Sequence, residues 1–204
     1  MLVFRAHGQQ LPPNELQRVC NLLKQGDVGI LPTDSVYTLA CALNSTKGIE
    51  RLCKLVNKKP SQSNLSIICS NFEMISRFTL PFSTATFRLM KSVLPGPFTF
   101  IMKAEVKQFR GYENRRQTIG VRMPDEAFLL NLVNELNQPL ICSSLHSEDE
   151  LKQYFTEPEE IEQHFLHKVD FFVEDGSGGT EPSTVVDCTG PDWELLRQGK
   201  GILP

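Results

Sequence analysis

Residues 28–43 read VGILPTDSVYTLACAL, and they contain an apolar run that stops abruptly at Pro32. Thr33, Asp34 and Ser35 follow this proline before apolar residues resume at Val36. A turn explains the pattern, because proline fixes φ and lacks a donor while Asp and Ser bond their own backbone. A ligand site is the alternative, because open α/β sheets bind ligands at the carboxyl ends of their strands. On these residues alone, the turn is the simpler interpretation.

Short apolar strands and amphipathic helices are interleaved on both sides of this stretch. Apolar residues at helical spacing predict helices over 13–25, 46–60, 83–96, 125–136 and 156–169. Short apolar or alternating runs predict strands over 27–32, 65–70, 98–104, 118–123, 139–145, 169–176 and 183–189. Buried strands mixed with helices predict an α/β (α+β) fold, with one twisted mixed sheet flanked by helices in a single domain.

The composition excludes several classes of protein. With 204 residues, 40% hydrophobic and 22% charged, the chain is neither disordered, collagen-like nor a coiled coil. No apolar run approaches the roughly 18 residues of a membrane span. The six cysteines form no C-x-x-C pair, and there are only four histidines. We therefore expect reduced thiols in a cytoplasmic protein, with no metal site and no membrane association.

The net charge of −3 hides a strong asymmetry along the chain. Residues 47–122 contain fourteen basic and four acidic residues, whereas 123–175 contain thirteen acidic and two basic residues. This division predicts a basic face for phosphates or RNA and an acidic face toward solvent. Two ordinary solvated surfaces explain it as well.

Several predicted strands end in small hydroxyl, Gly or Pro residues, as the opening stretch does. The strand–loop junctions of this kind are LPTDS (31–35), PLICSSLHS (139–147) and EPSTVVD (181–187), and LPGPFTF (94–100) forms a similar turn between a predicted helix and a predicted strand. Hydroxyls and free backbone N–H groups at such points bind phosphate or carboxylate oxygens. Basic residues near predicted element ends, Lys58, Lys59 and Arg197, suit phosphates too, although helix-dipole or solubility roles are open. No P-loop, dinucleotide fingerprint or G-x-S-x-G elbow is present.

The order of these pieces carries a resemblance. The series is P-T-D-S-x-Y (32–37), L-P-G-P-x-T (94–99), T-I-G-V-R-x-P (118–124), paired serines (143–144), P-S-T-V-V-D (182–187) and R-x-G (197–199). In this order the motifs resemble the YrdC/YciO family of threonylcarbamoyl-AMP synthases and their relatives. The resemblance covers residues 11–201, which we take as the domain, and implies a sheet with a concave, positively charged cavity.

The resemblance also implies a reaction. L-Threonine, bicarbonate and ATP, with Mg²⁺, give threonylcarbamoyl-adenylate and pyrophosphate, and the product feeds modification of adenosine 37 in tRNA. Carried over by motif, Thr33, Tyr37 and Arg122 bind threonine, with Arg122 on the threonine or carbamate carboxylate. The ATP and phosphate contacts implied in the same way are Lys58, Lys59, Thr99, Ser144, Ser183 and Arg197. No catalytic residue and no metal ligand is implied.

Two motifs depart from the pattern of the active synthases. Their K-x-R before a proline is here Asn57-Lys58-Lys59, and their S-x-N is here Ser144-Leu145-His146. Both departures place the chain nearer the YciO branch. Besides the synthase, two alternatives are open: a protein of this fold that binds tRNA, double-stranded RNA or the ribosome, and an enzyme that hydrolyses or rearranges a threonylcarbamoylated compound. In all three, Thr33 lies at the mouth of a binding cavity.

Overall fold

The computed structural model describes residues 1–6, 10–57, 65–109, 117–146 and 153–204. Its strands are β1 (Leu2–Arg5), β2 (Gly29–Leu31), β3 (Thr38–Ala42), β4 (Ser66–Ile68), β5 (Gly96–Lys103), β6 (Thr118–Met123), β7 (Leu140–Ser144), β8 (Phe171–Glu174), β9 (Thr184–Asp187) and β10 (Glu194–Arg197). Its helices are α1 (Pro13–Lys24), α2 (Thr46–Leu55), α3 (Phe72–Phe78), α4 (Thr84–Val93), α5 (Ala127–Leu136) and α6 (Pro158–Phe165).

The strands of the described residues form one mixed sheet in the order β1-β8-β2-β3-β7-β4-β6-β5-β9-β10. Neighbours β1/β8, β8/β2, β4/β6 and β5/β9 run parallel, and the other pairs run antiparallel. The order brings together strands that lie far apart in sequence. Strand β9, for example, pairs with β5 so that Thr99 lies beside Val185.

Three of the described helices begin at a side chain that satisfies one of their first backbone N–H groups. Ser45, Asn71 and Ser83 each accept a hydrogen bond from the backbone N–H three residues later, at the start of α2, α3 and α4. Helix α1 ends before Gly26, whose φ of +88° is the left-handed conformation that glycine favours. Helices α1 and α2 pack on β3, and α5 packs on α1.

The central strands have two chemically different faces, because successive side chains of a strand point to opposite sides. One face presents large apolar side chains, all buried: Phe98, Phe100, Met102, Ile119, Val121 and Met123. The other face holds smaller and more polar residues on the same strands. The large apolar face forms the core, and the second face is therefore available for a site.

Three of the described strands and one of the described α-helices were not predicted from the sequence. Strand β3 is buried along its whole length and β10 is exposed along its whole length, so neither shows a period-two pattern. Strand β1 lies before residue 11, the expected start of the domain, and α3 has only seven residues. In the described part of the chain, the helices are too short or too polar to cross a lipid bilayer.

Candidate functional site

Six hydroxyl side chains, one glycine and one arginine lie on the second face of the central sheet. We call this set the polar face: Thr38, Ser66, Thr99, Thr118, Gly120, Arg122, Ser144 and Ser183. Strand register places these residues on one side, since Thr38 pairs with Ser144 and Ser66 pairs with Gly120. A Cβ added at Gly120 would lie 2.3 Å from the Ser66 Oγ and 3.1 Å from the Thr99 Cγ2. Glycine at position 120 therefore leaves room for Ser66 and Thr99, which lie on the two strands that flank β6.

The segment after β2, Thr33–Ser35, folds into a hydrogen-bonded turn at the edge of the polar face. We call it the TDS turn. The Thr33 hydroxyl donates to the Val36 carbonyl (2.8 Å) and accepts from the Ser35 backbone N–H (3.1 Å). The turn interpretation and the site interpretation are thus compatible, because the turn presents the Asp34 and Ser35 side chains to Arg122.

Arg122 is the buried cation of the site, with 3% of its surface exposed. Its Nη2 donates to the Ser35 Oγ at 2.9 Å and to the Asp34 Oδ1 at 3.4 Å. The Nε of Arg122 is buried and has no hydrogen-bond partner within the described structure. A buried donor without a partner costs roughly 1–3 kcal/mol. An anionic ligand that accepted from this Nε would remove that cost.

Asp34 is held from three directions. Its Oδ1 accepts from Arg122, and its Oδ2 accepts from the Asp125 backbone N–H at 2.8 Å. Its backbone carbonyl accepts from the Lys200 ammonium. Burial nevertheless raises the pKa of Asp34, and this outweighs the lowering by Arg122 and by the Asp125 N–H. The desolvation of this carboxylate is therefore only partly compensated by its neighbours.

The carboxylate of Glu126 lies in the same acidic surroundings. Burial raises the pKa of Glu126, and the nearby charges of Asp175, Asp34 and Asp125 add to the rise. Acidic groups thus border the Arg122 side of the polar face. The structure therefore combines a buried cation with a negative rim at this end of the site.

Replacing Glu126 by glutamine is expected to stabilise the protein at neutral pH. A raised folded-state pKa means that the charged carboxylate opposes folding, so the cost is absent below about pH 4 and appears as the pH rises through that pKa. We expect the free energy of unfolding to rise by about 0.5 kcal/mol at pH 7 and to be unchanged near pH 4. Urea unfolding at the two pH values measures this. Glu135→Gln, at an exposed position of α5, is the control, and an equal gain in both variants would contradict the prediction.

Tyr37 anchors a glycine-rich loop, residues 176–180, onto the TDS turn. Its hydroxyl donates to the Gly176 carbonyl (2.7 Å) and accepts from the Asp175 backbone N–H (2.9 Å). Its ring packs edge-on against Phe172, and burial raises the pKa of Tyr37 to about 12. The structure thus uses the Tyr37 hydroxyl to position the loop.

The glycine-rich loop touches the TDS turn directly. The Gly179 backbone N–H donates to the Ser35 carbonyl at 3.0 Å, and a Cβ at Gly179 would lie 2.1 Å from that oxygen. A Cβ at Gly178 would lie 2.6 Å from the Tyr37 ring. Close approach, rather than flexibility, is the reason for glycine at these two positions.

The side of the polar face next to β6 is built by β5, β9 and the C-terminal segment. The hydroxyls of Thr99 and Ser183 lie 2.7 Å apart and are buried. The Arg197 Nη2 donates to the Ser183 carbonyl at 2.8 Å, and the Lys200 backbone N–H donates to the Pro182 carbonyl at 2.9 Å. These bonds fix the residues after β10 along the site.

The structure brings most of the sequence-predicted site residues together. Thr33, Thr99, Arg122, Ser144, Ser183 and Arg197 lie on the polar face or at its edge, and Tyr37 supports the loop beside it. Lys58 and Lys59 lie outside the described residues. Sequence reasoning did not assign Ser66, Gly120, Lys200 or the two loop glycines. Gly120 could have been found, because it shares the alternation of TIGVRM with Arg122.

No metal centre is formed by the described part of the chain. No group of three His, Cys, Asp or Glu side chains there could hold a metal ion. The donors on the polar face are hydroxyls, backbone groups and guanidinium groups. This chemistry suits an anionic, oxygen-rich ligand.

Fold and site together define a mixed-sheet α/β protein whose polar face, with the buried Arg122, lies between the TDS turn and the C-terminal segment. The Sua5/YciO/YrdC family model, described as "Telomere recombination", matches residues 21–199. The chain therefore belongs to the Sua5/YciO/YrdC family, as the order of its motifs indicated.

Relatives from two branches of the family match nearly the whole chain. "Uncharacterized protein YciO" of Escherichia coli K12 is 33% identical over 198 residues, 93% of each chain. The crystal structure of E. coli YciO superposes with a TM-score of 0.90 over 99% of this chain and 98% of that chain, at 28% identity. The "Threonylcarbamoyl-AMP synthase" of Vibrio vulnificus YJ016 is 29% identical over 188 residues, 91% of this chain and 99% of that protein.

The fold extends to Sua5 of P. abyssi. Its crystal structure in complex with L-threonine superposes with a TM-score of 0.80 at 22% identity. The match covers 97% of this chain and 57% of the Sua5 chain. These structures confirm the predicted mixed sheet with flanking helices, and the chain resembles a threonylcarbamoyl-AMP synthase in sequence and Sua5 in fold.

Proposed function

We propose that the protein is an L-threonylcarbamoyladenylate synthase, converting L-threonine, bicarbonate and ATP into threonylcarbamoyl-AMP and pyrophosphate for modification of adenosine 37 in tRNA. The observation that carries the proposal is the buried Arg122 on the polar face, with an unpartnered Nε. The synthase relative and the Sua5 structure with L-threonine support the assignment of the substrates.

The Arg122 end of the site suits a carboxylate. A guanidinium presents several N–H donors in a fixed fork, and only Nη2 is engaged by Ser35 and Asp34. The carboxylate of threonine, or of its carbamate, would accept from Nε. The TDS turn borders this position, and the Thr33 hydroxyl fixes the shape of the turn through its bonds to Ser35 and Val36.

The hydroxyl and cationic groups of the polar face on both sides of β6 suit the nucleotide. Thr99, Ser144 and Ser183 offer hydroxyls for the adenylate, and Arg197 offers a cation for the phosphates. Lys58 and Lys59 would add charge from the segment after α2. Mg²⁺ would neutralise the triphosphate when it is bound, and it would arrive with ATP, because the described residues group no ligands for it.

The chemistry asks mainly for positioning. The threonine amine attacks bicarbonate, giving a carbamate and water, and a carbamate oxygen then attacks the α-phosphorus of ATP, releasing pyrophosphate. Holding the carboxylate at Arg122 and the adenylate at the hydroxyls of the neighbouring strands brings the two reacting groups together. The guanidinium of Arg197 stabilises negative charge on the departing phosphates.

Exchange of labelled pyrophosphate into ATP tests the proposal. We expect exchange that requires both threonine and bicarbonate, and that falls at least tenfold in Thr33→Ala and in Arg197→Ala, each of which loses one positioned polar group. Thr33→Ser should keep most of the activity, because it keeps the hydroxyl. Ser76→Ala, on the exposed face of α3, is the matched control. Exchange without threonine, or equal losses in Ser76→Ala, would contradict the proposal.

A second function, RNA binding, is favoured by the surface charge. The described basic residues of the 47–122 segment are exposed apart from Arg51 and Arg122: Lys47, Lys54, Arg77, Arg88, Lys91, Lys103 and Lys107. A tRNA or double-stranded RNA bound to these residues would dissociate steeply as salt is raised. Filter binding between 50 and 200 mM salt distinguishes this function, and an unchanged affinity would exclude it.

A further inference from the structure

His146 follows Ser144, one of the proposed nucleotide contacts, by two residues. The intervening Leu145 points to the core with 1% of its surface exposed, and its backbone N–H donates to the Tyr37 carbonyl at 2.9 Å. Alternation along the strand therefore places His146 on the same side as Ser144. Two residues of a strand span about 7 Å, so the imidazole and the Ser144 hydroxyl both lie within reach of one nucleotide.

The imidazole is held by a second ring. His146 and Tyr154 form an antiparallel bridge, and their ring centroids lie 4.9 Å apart with an interplanar angle of 35°. Tyr154 is buried, with 6% of its surface exposed, whereas His146 is exposed. The tyrosine therefore supports one side of an imidazole that stands out from the polar face.

We propose that His146, supported by Tyr154, is a stacking platform for the base of the bound nucleotide and determines its affinity. The inference rests on the proposed function, because it assigns the base of the ATP used there. A planar ring held against a second ring loses little conformational freedom on binding a flat ligand. Base stacking on such side chains contributes about 1–3 kcal/mol. A ring at this position selects for a nucleobase, whereas Ser144 and Arg197 contact the polar part of the ligand.

This role fits the local sequence. The S-x-N pattern to which this stretch was compared has Asn at this position, and here an imidazole takes its place. The exchange replaces a polar contact by a ring surface at the same point of the strand. Stacking of the base then contributes more to nucleotide affinity than contacts with the hydroxyl and phosphate groups do.

Isothermal titration of the full chain with ATP and with inorganic triphosphate separates base from phosphate binding. We expect the wild type to bind ATP at least tenfold more tightly than triphosphate, and His146→Ala to lose this preference while its affinity for triphosphate is unchanged. His146→Phe, which keeps a ring, should retain the preference. His164→Ala is the matched control, because His164 is also exposed and packs against two phenylalanine rings, on α6.

The outcomes distinguish this inference from the proposed function. Equal weakening of ATP and triphosphate in His146→Ala, or no weakening of either, would overturn the platform while leaving the nucleotide site intact. A wild type that binds neither ligand would overturn the proposed function, and the platform with it. Circular dichroism melts of each variant show whether the fold is retained.

Discussion

Replacing Arg122 by leucine is expected to lower the free energy of unfolding by about 3 kcal/mol at pH 7. The substitution removes the guanidinium that pairs with the Asp34 carboxylate. Only 8% of the Asp34 side chain is exposed, so water does not replace the lost partner. Because burial already raises the pKa of Asp34, loss of Arg122 raises it further. The deficit should therefore be largest at neutral pH and shrink as the pH falls and Asp34 is protonated. Urea unfolding at pH 7 and pH 4 measures both values.

Two further variants identify the cause of this loss. Adding Asp34→Asn to Arg122→Leu removes the unpaired charge, so the double variant should recover part of the stability. Arg51→Leu removes a cation paired with Asp170 at a position where about a third of each side chain is exposed, and should cost about 1 kcal/mol or less. Equal losses in Arg122→Leu and Arg51→Leu would mean that the buried pair has no special importance.

Replacing Gly179 by alanine is expected to cost nearly as much stability and to weaken the L-threonine binding that the proposed function requires. The added Cβ would lie 2.1 Å from the Ser35 carbonyl oxygen, so the glycine-rich loop must move away from the TDS turn. The displacement breaks the hydrogen bond from the Gly179 N–H to Ser35. We expect a loss of about 2–3 kcal/mol in stability. Calorimetric titration with L-threonine should show affinity reduced more than tenfold, measured below the unfolding temperature of the variant.

Gly190→Ala is the control for Gly179→Ala. A Cβ at Gly190 would lie 3.4 Å from the Asp192 carbonyl, which is ordinary van der Waals contact. We expect a change in stability within about 0.5 kcal/mol and unchanged threonine affinity. If the two alanine variants behave alike, close packing of the loop on the TDS turn is not what shapes the site.

The sequence predicted most of the elements that form the polar face, because their side chains alternate. TIGVRM places Thr118, Gly120 and Arg122 on one side of a strand and apolar residues on the other. The order of the strands was not predictable in the same way. The hydroxyls of Thr99 and Ser183 meet only because β5 and β9 pair across 84 residues of chain. Local periodicity contains no information about such pairing.

The same limit applies to the contacts within the site. Motif order placed Thr33 and Arg122 in one cavity, and the structure joins them through Asp34 and Ser35. The order of the motifs could not show that the Tyr37 hydroxyl is hydrogen-bonded to the backbone of residues 175 and 176. Nor did the glycine-rich loop at 176–180 show any signal that it packs on the TDS turn, since its partners are backbone atoms.

The most direct measurement is mass spectrometry of the product formed from ATP, L-threonine and ¹³C-bicarbonate with Mg²⁺. The proposed function predicts threonylcarbamoyl-AMP one mass unit heavier than with ordinary bicarbonate, and its loss in the Thr33→Ala, Arg197→Ala double variant. A folded wild-type protein that forms no such product would contradict the proposed function. The polar face would then bind another ligand, and tRNA would be the next to test.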